Sequence, residues 1–258
     1  MILIAHDTIM RMRRSFLNRP VNLLGQALPM ASLILIGLVV LGSALLAFAS
    51  RLGVPALALS PLSSPLVMGG QVWRLLTWAF FETDGQSLVF GGLMLGFSGR
   101  DLVSAWGGAK YLSLCAATAF GTGVATTAIG LVWPDVYATP YLSIWPLVDA
   151  LMIGWALLFP NRTLLFMFVL PAAGRNLLYL TVGMTVLFAV MYGFSNFVPH
   201  FLAMGLMYAY LRGGSLIGTE LRLRSLLNGR RDKRGLRVVE GGWNKDAGRG
   251  PNGSGWVH

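Results

Sequence analysis

Long apolar runs without charge dominate this chain. No Lys, Arg, Asp or Glu occurs between Arg19 and Arg51, and none occurs between Arg175 and Arg212. A helix needs about 20 predominantly apolar residues to cross the hydrocarbon core of a bilayer. The pattern therefore predicts an all-α membrane protein.

Six spanning helices are predicted, and the run between Arg175 and Arg212 is long enough for two of them, with a turn between Gly193 and Pro199. The six predicted spans lie at about 29–49, 86–99, 111–133, 142–160, 176–193 and 199–212. Residues 1–22 form a basic N-terminus, 23–212 the membrane domain and 213–258 a basic tail. The tail pattern is amphipathic at first and then glycine-rich, so we expect it to be disordered or bound to a partner.

The positive charges predict the orientation of the bundle. Four Lys or Arg residues precede the first span, two (Arg100 and Lys110) lie between the second and third, two between the fourth and fifth, and ten follow from Arg212 onward. The opposite side carries only Arg51 and Arg74. Cytoplasmic loops of membrane proteins are enriched in Lys and Arg, so both termini are predicted to be cytoplasmic.

Composition supports this class of protein. The 258 residues have a mean hydropathy of +0.65 and only 12% are charged, which is too apolar for an ordinary soluble domain. The net charge of +10 would suggest nucleic acid in a soluble protein. Here half of the Lys and Arg residues follow the last span, so we expect anionic lipid headgroups as partners and no nucleic acid. The single cysteine, Cys115, gives no disulfide framework.

Two ionisable residues fall within predicted spans, Asp149 in the fourth and His200 at the start of the last. A lone carboxylate at that depth costs about 2.5 to 3.5 kcal/mol, so it should face other helices. One alternative is a hydrogen bond between Asp149 and His200. The other is a protonated Asp149 bonded to a Ser, Thr or Tyr of a neighbouring span. His6 and His258 lie in the termini, so no metal site or cofactor is expected.

Three segments resemble rhomboid intramembrane proteases, and the resemblance covers roughly residues 70–212. They are the Trp73-Arg74 pair followed by Leu-Leu-Thr, the Phe159-Pro160-Asn-Arg turn, and the helix that begins at His200. The resemblance implies a six-helix rhomboid-like bundle in which His200 matches the catalytic base of the family.

The residues that rhomboids use for catalysis are otherwise replaced. Counted back from the Phe159-Pro160 pair, the position of the nucleophilic serine holds Trp145, whose indole cannot attack a carbonyl. The two side chains that stabilise the oxyanion in the family correspond to Ser87 and Gly91. A base without a nucleophile activates nothing, so we expect a catalytically inactive pseudoprotease and no enzyme.

Ser143 offers the one route to activity. It lies two residues before Trp145, and two residues along a helix rotate a side chain by about 200°, so it should face away from His200. An intramembrane serine protease that uses Ser143 and His200 is the least favoured alternative. Ion or proton transport would need a chain of ionisable groups, whereas these spans offer only Asp149 and His200.

The expected function is a structural or scaffolding subunit of a larger membrane complex, acting through lateral helix contacts and the cytoplasmic tail. The alternative is a binder of transmembrane client proteins, as derlins are. The expected partners are other integral membrane proteins, with no small-molecule substrate, and the expected location is the bacterial inner membrane.

Two pairs of residues are assigned to contacts. Trp73 and Arg74 anchor the first loop, either in headgroups or through a specific contact. Trp243 and Trp256 stand in the glycine-rich tail, and we expect them to bind a partner or to rest on headgroups.

Overall fold

A computed structural model describes residues 16–23, 26–53, 61–166 and 170–213. The described part is mostly helical, with two antiparallel hairpins. The hairpins pair β1 (Pro20–Leu23) with β2 (Gln26–Pro29), and β3 (Thr163–Phe166) with β4 (Leu170–Ala173). The helices are α1 (Met30–Arg51), α2 (Ser64–Met68), α3 (Arg74–Thr77), α4 (Gly85–Trp106), α5 (Gly108–Gly130), α6 (Pro134–Ala138), α7 (Trp145–Leu158), α8 (Gly174–Tyr192) and α9 (Phe194–Gly213).

One long helix lies on each predicted span. In the described residues, α1, α4, α5 and α8 are long and apolar enough to cross a membrane. Helix α7 is apolar but has only 14 residues, and α9, with 20 residues, falls short in mean hydropathy. The tail, including Trp243 and Trp256, lies outside the described residues.

Helix α4 is longer than predicted. The sequence placed Arg100 in a turn after a span ending at about residue 99, but the helix continues to Trp106. Leu102, Val103 and Trp106 are buried on one face, and this apolar face holds the last turns in the helix despite the charges. The chain then turns at Gly107, whose φ of +81° favours glycine.

Helix α7 is the centre of the bundle. It packs against α4, α8 and α9, and all but a few of its residues are buried. A 14-residue helix is about 21 Å long, shorter than the roughly 30 Å hydrocarbon core. Its length is compatible with a bilayer because the neighbouring helices enclose it, and because the loop before it enters the bundle.

The backbone of that loop is hydrogen-bonded. Tyr141 forms an isolated bridge with Leu62: Leu62 N–H donates to Tyr141 O at 2.7 Å, and Tyr141 N–H donates to Leu62 O at 2.8 Å. Loop backbone is tolerated at membrane depth only where such groups have partners. The bridge therefore allows residues before α7 to reach the interior.

The other end of α7 is tied to α4 through Asp101. Trp155 Nε1–H donates to Asp101 Oδ2 at 2.9 Å, and Arg162 Nη1 lies 3.2 Å from Asp101 Oδ1. Nearby, the Gly108 N–H donates to Asn18 Oδ1 at 2.6 Å, which ties the segment before β1 to the start of α5. These contacts link the segment before β1 to the α4–α5 turn, and α4 to the end of α7.

The Trp73-Arg74 pair separates into an exposed and a buried residue. The Trp73 side chain is 51% exposed, whereas Arg74 is fully buried. Arg74 Nη1 donates to Pro61 O and Nε donates to Gln71 Oε1, both at 2.7 Å. Of the two predicted alternatives, anchoring in headgroups or a specific contact, Arg74 thus makes the specific contact.

We expect Arg74→Met to destabilise the folded protein by about 1.5 to 3 kcal/mol, because it removes charged hydrogen bonds and leaves Pro61 O without its donor. Trp73→Ala, at an exposed position, should change stability by less than about 0.5 kcal/mol. Unfolding in mild-detergent micelles measures both. Equal losses would contradict the buried contact.

Gly123 allows α3 and α5 to pack closely. A Cβ at this position would lie 2.5 Å from Leu75 O. Gly123→Ala should therefore lower stability by about 1 to 3 kcal/mol, since the clash involves backbone. Gly183→Ala on α8 meets no atom within 4 Å and serves as the matched control. It should be neutral or slightly stabilising, because Ala favours helix over Gly.

Candidate functional site inside the bundle

Polar side chains from four segments meet at the N-terminal end of α7. Helix α7 contributes Asp149, α9 contributes His200, and the loop before α7 contributes Tyr141 and Ser143. Glu82, between the 3-10 turn at Trp78–Phe80 and α4, completes the group.

Asp149 and His200 form a hydrogen bond across α7 and α9. His200 Nδ1 lies 2.6 Å from Asp149 Oδ2, and the two side chains are only 10% and 15% exposed. Of the two alternatives predicted for Asp149, the pairing with His200 is the one present. The polar pair thus joins the central helix to α9.

Tyr141 occupies the other nitrogen of the imidazole. Its hydroxyl lies 2.8 Å from His200 Nε2. With a neutral imidazole, the phenol donates to Nε2, and Nδ1–H donates to the Asp149 carboxylate. Phe197 stacks on the imidazole with ring centroids 4.9 Å apart. The ring is therefore fixed in place with both nitrogens engaged.

Glu82 and Ser143 form a second network at the start of α7. Ser143 Oγ–H donates to Glu82 Oε2 at 2.7 Å, and the same Oγ accepts from the Trp145 N–H at 3.2 Å. Glu82 is 8% exposed, and its own N–H donates to Ser43 Oγ on α1 at 2.9 Å. A carboxylate at a helix N-terminus is favoured by the helix dipole. This network fixes the point at which α7 begins.

The expected orientation of Ser143 is corrected by the position of this helix start. Ser143 was expected to face away from His200 because the predicted span starts at about residue 142 and would include it. Helix α7 begins at Trp145, so Ser143 precedes the helix. Ser143 and His200 line the same cavity. In the described residues no hydrogen bond joins their side chains, since Ser143 donates to Glu82 and His200 Nε2 is bonded to Tyr141.

The cavity has a volume of about 290 Å³ and lies between α4, α7, α8, α9 and the loop before α7. Trp145, at the nucleophile position of the resemblance, lines it together with Asp149 and His200. The remaining lining residues are mainly apolar, and they are Phe90, Met94, Tyr141, Ser143, Val148, Met152, Thr181, Met184, Thr185, Phe188 and Phe197.

Ser87 and Gly91, the positions that the resemblance assigns to the oxyanion, are not among the residues that line this cavity. A Cβ at Gly91 would lie 3.0 Å from Ile144 Cγ2, so this position faces the residue before α7 and has no side chain to offer. Ser87 lies in the first turn of α4, where its N–H donates to the Asp84 carboxylate at 2.7 Å. Hydrogen bonding with Ser87, through its N–H first, lowers the pKa of Asp84.

Sequence reasoning missed Tyr141 and Glu82. A signal for Glu82 existed, because this acid directly follows the aromatic segment Trp78-Ala-Phe-Phe. Tyr141 had no such signal, since no spacing along the chain relates it to His200. In the part of the chain described here, no group of three or more His, Cys, Asp or Glu side chains is placed to hold a metal ion.

His200→Ala should destabilise the protein by about 3 kcal/mol or more, because it leaves Asp149 uncompensated inside the bundle. Tyr141→Phe removes one hydrogen bond and should cost about 1 kcal/mol. Tyr137→Phe, at an exposed position on α6, is the control and should have almost no effect. Unfolding in mild-detergent micelles ranks the three variants, and a His200→Ala loss no larger than that of Tyr141→Phe would contradict the pairing.

Residues 33–212 match the sequence profile of a family described as eukaryotic integral membrane protein (DUF1751). A search among curated proteins returns no match. The description supports a multi-pass membrane protein, does not itself confirm a rhomboid, and does not support the predicted bacterial inner membrane. Because the match covers more than half of the 258 residues, the chain belongs to this family of eukaryotic integral membrane proteins.

Proposed function

We propose that this protein is a non-catalytic, rhomboid-like membrane protein that acts as a structural or scaffolding subunit of a larger membrane complex. The observation that carries the proposal is the engagement of His200 by Asp149 and Tyr141, beside an indole at the nucleophile position. A general base must be free to take a proton from a nucleophile. Here Nδ1 is bonded to Asp149, as in a triad, but Nε2, which would take that proton, is bonded to the Tyr141 phenol and to no serine or cysteine.

The proposal includes six spans with both termini in the cytoplasm. Helix α9 has 20 residues, enough for about 30 Å, and α7 is enclosed by its neighbours, so neither is excluded as a span by its length or its polar residues. The excess of Lys and Arg in the segments before α1, between α4 and α5, and after α9 supports the orientation. The same residues would hold anionic headgroups at that surface.

Lateral contact is supported by the outer faces of α1 and α8. Helix α8 is the least buried of the four long apolar helices, with 28% of its most apolar window inside the bundle. Its exposed large side chains are Tyr179, Val182, Val186, Leu187, Phe188, Val190, Met191 and Tyr192, and those of α1 are Leu38, Val40, Leu41, Leu45 and Phe48. Such faces suit either lipid or apolar helices of partner subunits.

Binding of transmembrane clients is the second candidate. It is favoured by the cavity beside α8, because a client that presents an apolar side chain would find space there. Purification of the full chain from its native membrane in mild detergent separates the two functions. Stoichiometric neighbours support the subunit, whereas variable substoichiometric clients support the binder.

We expect no labelling of the purified protein by a serine-directed fluorophosphonate and no cleavage of a model transmembrane substrate, because Ser143 donates to the weakly basic Glu82 carboxylate and has no hydrogen bond to the His200 imidazole, whose Nε2 is bonded to Tyr141. Ser143→Ala should behave as the unmodified chain does in both assays. Labelling that disappears in Ser143→Ala, or cleavage that requires His200, would replace the proposal with an active serine protease.

A further inference from the structure

The carboxylate of Asp149 has one oxygen unused by the protein. Oδ2 is bonded to His200, whereas Oδ1 has no hydrogen-bond partner among the residues that the structure describes. Asp149 belongs to the enclosed helix α7 and lines the cavity, so its 15% exposure is directed toward the cavity. A carboxylate oxygen accepts hydrogen bonds, and the missing partner is therefore a donor.

Thr181 provides a second polar group without a partner. It lines the same cavity from α8, is 3% exposed, and its hydroxyl has no hydrogen-bond partner in the described part of the chain. Buried hydroxyls are normally hydrogen-bonded, and a ligand in this cavity could supply the partner that Thr181 lacks.

Charge excludes an anion at this end of the cavity. Asp149 lines the cavity and Glu82 binds Ser143 in its wall, so two carboxylates stand close to the same end. Among the lining residues, His200 is the one that can carry a positive charge, and both of its nitrogens already have partners. An acidic head would meet only repulsion there.

The rest of the cavity is apolar and narrow. Phe90, Met94, Val148, Met152 and Met184 line it, and the whole cavity has a volume of about 290 Å³. A whole helix is about 10 to 12 Å across and needs far more room. A flexible hydrocarbon chain fits such a space, and Met-lined walls adapt readily to its shape.

Helix α8 separates the cavity from an exposed apolar face that would meet lipid if α8 spans the membrane. The inner face of this helix lines the cavity through Thr181, Met184 and Thr185, while Tyr179, Val186 and Val190 on the same helix are exposed. A ligand drawn from the membrane thus has only one helix to pass.

We infer that the cavity binds a single-chain membrane amphiphile whose head is a hydrogen-bond donor, either a hydroxyl or an amine. The head donates to Asp149 Oδ1, and the chain packs among the Phe and Met side chains. This site does not depend on whether the protein scaffolds a complex or binds clients.

The test uses the full chain in phosphatidylcholine nanodiscs and four photoactivatable 16-carbon probes that differ only in the head: alcohol, amine, methyl ether and carboxylate. After irradiation, mass spectrometry locates the adducts. The alcohol, the amine or both should label peptides that contain Val148, Met184 or Phe197 at least about tenfold more than the ether and the carboxylate do. The two donor arms distinguish a hydroxyl from an ammonium ligand.

Met184→Trp fills the cavity and leaves the Asp149–His200 pair in place, so cavity labelling should fall about tenfold or more. Leu187 on the same helix is half-exposed and does not line the cavity. The Leu187→Trp variant should therefore be labelled to the same extent as the unmodified chain. Equal labelling by all four heads, cavity labelling that survives Met184→Trp, or adducts confined to lipid-facing residues would overturn the site. Size-exclusion chromatography of each variant confirms that it is folded.

Discussion

The structure depends on one hydrogen-bonded chain in an apolar interior, from Asp149 through the His200 imidazole to the Tyr141 hydroxyl. An isolated carboxylate at this depth would be expelled or protonated. Its pairing instead fixes three segments against each other: the central helix α7, the helix α9 and the loop that enters the bundle. The backbone bridge between Leu62 and Tyr141 then connects this series of hydrogen bonds to the first loop, because it holds the tyrosine in position.

On the proposed function, the arrangement that stabilises the bundle also accounts for the expected lack of acyl transfer. A triad works when the base takes the proton of a nucleophile that can attack, whereas the group bonded to this imidazole is the buried Tyr141 phenol. Ser143 is near enough to line the same cavity, but it serves the start of α7 by accepting from the Trp145 N–H and donating to Glu82. On this proposal, stability and the expected lack of proteolysis have the same structural cause.

The sequence predicted what depends on local pattern. Uncharged runs located the long helices, and the pairing of Asp149 with His200 was one of the two alternatives that the sequence left open. The predicted end of α4 was wrong, because the charges that begin at Arg100 were taken to mark a turn. The helix continues because Leu102, Val103 and Trp106 form a buried face. Tyr141 and Glu82 escaped prediction because their partners lie about 60 residues away, and loop conformation, which no periodicity encodes, brings them into contact.

The bundle has an inner part, which contains α7 and the polar chain, and an outer part, which consists of the helices around α7. Helix α7 is enclosed, so a partner that binds laterally would contact the outer helices first. Helix α8 belongs to both parts, because one face lines the cavity and the other is exposed. A contact that shifts α8 would change the cavity volume, and an occupied cavity would in turn brace α8. Partner binding and cavity occupancy are therefore expected to be coupled through this helix, with the same sign in both directions.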